Sequence, residues 1–357
     1  MGFKRSAERM SEIEADLRLG MGKKGIVGDA QEEIVAGIKS FALYGFPESH
    51  AASFALIAYA SAYLKAHHPA AFLCALLNNW PMGFYHPAAL ISDASRHYVV
   101  TLPVDVQSSD WLCTLQPRLG DDLSVRLGLK YVTGLREAVA TRLMTERASA
   151  PFRSVADLHA RVGLNQSEMG TLADIGAFTS FGRTRREALW QVEALGRSGA
   201  LFARVDPDGD SDFPSPLPPM DPHEEMVADF RGTHVTTGPH PIAMVRPLLE
   251  REGITTSAGL AAKRDGDSVR IAGVVIVRQR PGTAKGFVFI TLEDETGFTN
   301  ALVTPNLFER WRPVILAHPA LVIEGKLQKH EGVILIAAKS FSPLRDLRAA
   351  DISHDFH

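Results

Sequence analysis

The chain has 357 residues, 45% of them hydrophobic and 22% charged, with a net charge of −3. That length exceeds one ordinary core and allows two or three domains, and the hydrophobic share excludes a wholly disordered chain. The two cysteines, Cys74 and Cys113, lie far apart in sequence and fit no metal-ligand spacing, so reduced thiols in a cytosolic protein are expected.

The charge is uneven. Residues 1–110 carry 9 basic and 11 acidic groups, and residues 111–200 carry 12 basic, 11 of them Arg, and 9 acidic. Residues 201–235 carry 2 basic and 8 acidic groups, and residues 236–357 carry 15 and 13. Guanidinium forks match phosphate oxygens, so an Arg-rich middle fits nucleic-acid contact. A solvated surface would give the same counts.

In chain order, Phe3-Lys4-Arg5-Ser6 opens without a secretory signal. Met10, Ile13 and Leu17, then Ile34, Val35 and Ile38, recur at helical spacing, with a break at 20–29 where Gly20, Gly22, Gly25 and Gly28 fall. Residues 49–65 form a strongly apolar helix that Ser49 would cap. Its apolar stretch, Ala51 to Leu64, is too short to span a bilayer and reads as a buried helix. A further helix starts after His67-His68-Pro69, and another runs from Pro87 to Tyr98. Val99 to Val106 is short and extended. Residues 125–200 are mainly helical, in short pieces, and residues 203–222 are an acidic, proline-rich linker without a packed core.

From about 267 the period changes to two. Strands are expected at Val269–Ile276, Phe287–Leu292, Gly297–Val303, Pro319–Lys326 and Val333–Ala338, with a helix at Pro305–Ile315. Five strands with one helix between the third and fourth is the order of an OB-fold. The fold class is therefore multidomain, α then β.

Two Gly-centred turns run into helices. Leu129-Lys130-Tyr131-Val132-Thr133-Gly134-Leu135-Arg136 precedes one helix, and Ala173-Asp174-Ile175-Gly176-Ala177-Phe178 leads through Phe181-Gly182-Arg183-Thr184-Arg185-Arg186 to another. Both resemble the helix-hairpin-helix motif. Gly allows close backbone approach, and helix N-terminal amides can meet a phosphate without reading bases. The expected DNA contacts here are Thr133, Gly134, Leu135, Arg136, Gly176, Gly182, Arg183, Arg185 and Arg186. On the barrel they are Arg278, Arg280, Lys285, Phe287, Lys326 and Lys329, with Phe287 and Phe289 on one face for stacking or for the core. His50 falls at a helix start, where it is structural or meets a phosphate. The sequence has no Gly-Lys-Ser/Thr phosphate loop and no aspartate pair with two-metal spacing. The alternating acids Asp206, Asp208, Asp210 and Asp212 fit a tether better than a calcium loop.

The stretch from Tyr44-Gly45-Phe46-Pro47-Glu48-Ser49-His50 to Tyr59, with Tyr63 to Phe72, is very similar to the fingers domain of C-family bacterial DNA polymerases. Pro-Glu before Ser-His, and Asn78-Asn79-Trp80-Pro81-Met82-Gly83-Phe84-Tyr85, resemble the error-prone paralogue of the polymerase III alpha subunit. Pro103-Val104-Asp105-Val106 and Ser109-Asp110-Trp111 continue the likeness. The resemblance implies a C-terminal part of fingers at 1–110, a tandem helix-hairpin-helix region at 111–200, a linker at 201–235, an OB-fold domain at 236–345 and a tail at 346–357.

It also implies a role in DNA synthesis during repair and translesion replication. Duplex would lie at the hairpins and single strand at the barrel. Ser49, His50, Lys4 and Arg5 would lie near the incoming nucleotide. The palm aspartates that bind magnesium for dNTP transfer, and the triphosphate-binding arginines, would belong to a preceding polymerase part, leaving this chain inactive alone. An accessory protein related to Y-family polymerases is an implied partner, in a nucleoid-associated cytoplasmic setting without membrane contact. Gln191-Val192-Glu193-Ala194-Leu195 departs from the clamp-binding peptide of replicative members, which argues against clamp tethering there. The alternative is a stand-alone accessory module, or a truncated-gene remnant, that delivers DNA to a separate catalytic subunit.

Overall fold

A computed structural model describes residues 7–44, 48–83, 85–118, 120, 122–197 and 215–344. The chain divides into two units, residues 1–68 and 69–357.

In the first unit, α1 (Ala7–Lys23) and α2 (Asp29–Tyr44) flank the expected break, where Gly25 and Gly28 take positive φ. Met21 and Val35 are buried, and Arg18 pairs with Glu14 (3.0 Å) and with Glu32. The third helix, α3 (Glu48–His67), begins one residue earlier than expected, so Ser49 falls inside its first turn rather than at the cap. The expectation of a buried helix here is corrected. Leu56 is 70% exposed, and Phe54, Ile57, Tyr59 and Tyr63 are exposed too. Apolar residues occupy every side of α3, and such a helix needs cover all round, which one or two neighbouring helices do not give.

The second unit begins with α4 (Pro69–Asn78) and α5 (Pro87–Arg96). Pro87 occupies the first turn of α5, and the His86 ring accepts the Ala88 amide at 3.2 Å. A small sheet follows that the sequence signalled only as one extended segment: β1 (Thr101–Leu102), β2 (Thr114–Pro117) and β3 (Leu123–Arg126), in the order β1-β3-β2. Four helices then form one hydrophobic cluster with α4 and this sheet: α6 (Glu137–Ser149), α7 (Val155–Val162), α8 (Gln166–Asp174) and α9 (Arg185–Arg197). Leu77, Leu129, Leu143, Leu158, Leu172 and Phe178 are fully buried in it.

Part of the expected linker is a helix. Asp221 accepts the Glu224 amide at 2.8 Å while Glu224 accepts the Asp221 amide, a capping box that starts α10 (Pro222–Thr233). Met226 and Phe230 are buried, and Asp221, Glu224, Glu225 and Asp229 belong to the cap and the rest of this helix, whereas Asp206, Asp208, Asp210 and Asp212 lie outside the described residues. Next comes α11 (Pro241–Arg251), capped by the His240 ring.

Five strands and one helix complete the chain: β4 (Ser268–Gln279), β5 (Val288–Asp294), β6 (Gly297–Val303), α12 (Pro305–Ala317), β7 (Ala320–His330) and β8 (Val333–Pro343). They close as a barrel in the order β4-β5-β6-β8-β7, with β6 and β8 parallel. This is the expected OB-fold. On β4, Val269, Ile271 and Val275 point into the barrel core. Ala272, Val274 and Ile276 point outward and join Met226, Phe230, Ile242 and Leu249 in a second apolar layer, so α10 and α11 cover that wall.

Candidate nucleic-acid interface

The first hairpin is anchored on α4. Lys130 Nζ donates to the Asn78 carbonyl at 2.9 Å, and the Tyr131 hydroxyl donates to the Leu77 carbonyl at 2.8 Å. Gly134 then turns with φ +79°, and a Cβ built there meets nothing within 4 Å. The turn delivers the chain to Arg136, the N-cap of α6, with Thr133, Gly134 and Arg136 exposed and Leu135 buried. Arg136 forks onto Glu168 at 2.8 and 2.9 Å. Glu168 is buried and also accepts the Asn165 amide, so one carboxylate starts α8 and fixes the hairpin. The hydrogen bond from Arg136 holds its carboxyl below the usual range.

The second hairpin is closed over by its own chain. Gly176 has φ +76°, and a Cβ there would lie 3.1 Å from Arg185 Nε. Arg185 Nη1 donates to the carbonyls of Asp174 (3.0 Å) and Glu225 (3.2 Å) and to Asp229 Oδ1 (2.7 Å). Arg186 pairs with Glu224 of α10 at 2.9 Å. Two of the three arginines expected on DNA phosphate at this hairpin, Arg185 and Arg186, are therefore engaged by α10. Burial pushes the Asp229 carboxyl above its usual range, against the pull of Arg185. Gly182 is exposed and Arg183 half-buried, in the loop before α9.

On the barrel, Arg278 is also corrected. It is 7% exposed, and its guanidinium donates to the Ile315 carbonyl (2.9 Å) and the His318 carbonyl (2.7 Å). It satisfies the end of α12, whose last carbonyls lack helical partners. Arg280, Lys285 and Phe289 are exposed on or beside the loop between β4 and β5, and Phe287 is half-buried there. Arg280 also lies over the Phe308 ring. Val288, Ile290 and Leu292 take the core side of β5, which leaves Phe289 outside. Lys326 is exposed but faces Ser268, at the opposite end of β4 from Gln279, the partner of Phe289. Lys329 Nζ donates to the Ala261 carbonyl. The basic residues of the barrel thus form two groups.

Lys4 and Arg5 lie outside the described residues. Ser49 and His50 belong to the first turn of α3, but their side chains also lie outside them. Among the described residues no group of three or more His, Cys, Asp and Glu side chains could hold a metal ion. No described helix is long and apolar enough to cross a membrane.

Sequence reading missed three features. The first is α10. The second is Arg96–Glu293, a pair at 2.8 Å joining α5 to β5, with Arg96 also 4.6 Å over the Phe298 ring. The third is His240, half-buried beside Glu293 and held at a pKa of about 4, chiefly by desolvation. The capping box Asp221-Pro222-His223-Glu224 was a readable signal for α10. Nothing local signals a pair 197 residues apart.

Residues 98–188 match the family model described as a helix-hairpin-helix motif, and residues 269–344 match the OB-fold nucleic acid binding domain. The whole chain is 43% identical to an error-prone DNA polymerase of Anaeromyxobacter sp. (strain K), covering 32% of that protein. Error-prone DNA polymerases of Pseudomonas savastanoi pv. phaseolicola and Azoarcus sp. (strain BH72) are also 43% identical, over 95% and 99% of the chain and 33% and 34% of theirs. The chain spans about a third of the length of the curated relatives it matches.

Proposed function

We propose that this chain, homologous along its whole length to error-prone DNA polymerases, is the part that holds DNA while nucleotidyl transfer takes place elsewhere in such a polymerase. The observation that carries the reading is the first hairpin. Gly134 is open on its exposed side and leads into α6, within the segment matched as helix-hairpin-helix. The amides of Thr133 and Leu135 are bonded within the chain, so Gly134 and the first turn of α6 are what suit a phosphate here, irrespective of base. The barrel, with Phe289, Arg280 and Lys285 exposed at one end, fits a single strand by stacking and charge. The finer role, synthesis past damaged template during repair, is proposed from the relatives' name.

Duplex affinity measured across a salt series tests this. Each phosphate that the protein neutralises adds about −0.9 to the slope of log K against log salt. Gly134→Val is expected to weaken duplex binding at every sequence tested, and unchanged affinity would remove the first hairpin from the interface. In a primer-extension assay the chain alone is expected to add no nucleotide; magnesium-dependent extension would overturn the division of labour.

A further inference from the structure

We infer that α10 is a clasp: with the ion pairs Arg185–Asp229 and Arg96–Glu293, it locks the two hairpins and the barrel into one body. Three observations carry this. The second hairpin is shaped to receive α10, because the left-handed turn at Gly176 leaves room for Arg185, which threads beneath it to Asp229 and the Glu225 carbonyl. Asp229 is completed by the Thr236 hydroxyl at 2.7 Å, so the pair is satisfied from both sides. The same helix also reaches the first hairpin. Its Gly232 carbonyl accepts the Thr133 amide at 2.7 Å, and its Arg231 carbonyl accepts the Thr133 hydroxyl at 3.3 Å.

A neighbouring face of α10 belongs to the barrel. Met226 and Phe230 sit in the apolar layer with Val274, Ile276 and Val322. A second joint lies away from α10, where Arg96 of α5 meets the buried Glu293 of β5 and covers Phe298 of β6. Removing one member of a buried pair leaves the other buried and uncompensated, so both joints hold against sliding. A surface made of arginines kept for phosphate would instead leave them solvated. Here Asp229, Glu224 and Glu225 already surround them.

Resting on the DNA-holding reading, the clasp has a consequence. Two DNA contacts fixed on one body bind a duplex with a single-stranded tail as a bivalent ligand, and the second contact becomes intramolecular.

Two measurements on the full chain separate the two claims. First, spin labels are placed on cysteines introduced at Thr145 and Val333, both exposed, while Cys74 and Cys113 stay buried. The distance distribution without DNA is expected to be a single narrow peak. That peak is expected to be lost in Asp229→Asn/Arg96→Gln and, if that variant fails to fold, in Arg185→Met, which keeps an apolar stem but has no donor for Asp229 or the Glu225 carbonyl. A broad distribution in the parent chain, or a narrow one in the folded variants, overturns the clasp.

Second, affinities are compared for blunt duplex, single strand and tailed duplex. The parent chain is expected to gain about 100-fold on the tailed DNA over blunt duplex, and the variants to lose that gain while keeping both separate affinities. Tighter blunt-duplex binding in the variants would make α10 a mask over the arginines and overturn the clasp. Binding to neither form of DNA would sink the DNA-holding reading, while the distance measurement still decides the clasp.

Discussion

Replacing Arg96 by Met keeps an apolar side chain but removes the guanidinium that faces Glu293 and lies over the Phe298 ring. The Arg96 side chain is 16% exposed and that of Glu293 4%, so the carboxylate would be left buried without its partner. Breaking a buried pair on one side costs about 3–5 kcal/mol. Both residues line a cavity of about 580 Å³, which admits solvent and puts the loss at the lower end of that range. The pH dependence is the sharper signature. Burial already pushes the Glu293 carboxyl up, and Arg96 pulls it down. Without Arg96 the folded-state value rises further. A raised carboxyl binds its proton more tightly in the folded protein, so its stabilisation is present at low pH. That stabilisation is lost as pH rises from the unfolded value through the folded one. Arg96→Met is therefore expected to lose more stability at pH 8 than at pH 5. His240, which is neutral over this range, and the half-buried Asp93 do not reverse the sign. Urea denaturation at the two pH values measures it, with Arg96→Met/Glu293→Gln as the compensating double change. A pH-independent loss, or a double variant no more stable than the single one, would refute the reasoning.

His240 gives the opposite dependence. Its folded value of about 4 lies below the unfolded 6.5, so its stabilisation is complete above pH 6.5 and is lost as pH falls towards 4. About 2 kcal/mol should go between pH 7 and 5, and His240→Gln should flatten that part of a pH series of urea midpoints. Gly232 lies on α10 where a Cβ would come within 2.3 Å of the Ile175 side chain. Gly232→Ala should destabilise by about 1–3 kcal/mol in thermal or urea melts, and an unchanged midpoint would show that α10 moves off α8 without penalty.

The barrel was legible because β6 alternates between buried and more exposed residues, β5 does so as far as Leu292, and the β5–β6 and β7–β8 turns are short, so period and punctuation agree. The hairpins were legible from their glycines. What their arginines touch was not, because Arg185 and Asp229 are 44 residues apart, across a segment whose acids and prolines read as a tether. Composition sees charge but not its partner. Arg278 misled for a related reason. An arginine at a strand end looks solvated in sequence, whereas here the strand end abuts the final carbonyls of α12. The apolar run of α3 was read as core because hydrophobicity alone cannot say whether a covering surface is at hand.

Barrel closure has one more consequence. With β6 and β8 paired in parallel, no strand of the barrel presents an open row of amides and carbonyls to another molecule. The only open borders among the described strands belong to β1, two residues long, and to β2, which ends on Pro117. Short edges and a terminal proline are poor templates for strand addition. This chain, expressed at high concentration, should resist edge-to-edge self-association through its sheets, and any aggregation it shows should trace to the bare apolar surface of α3.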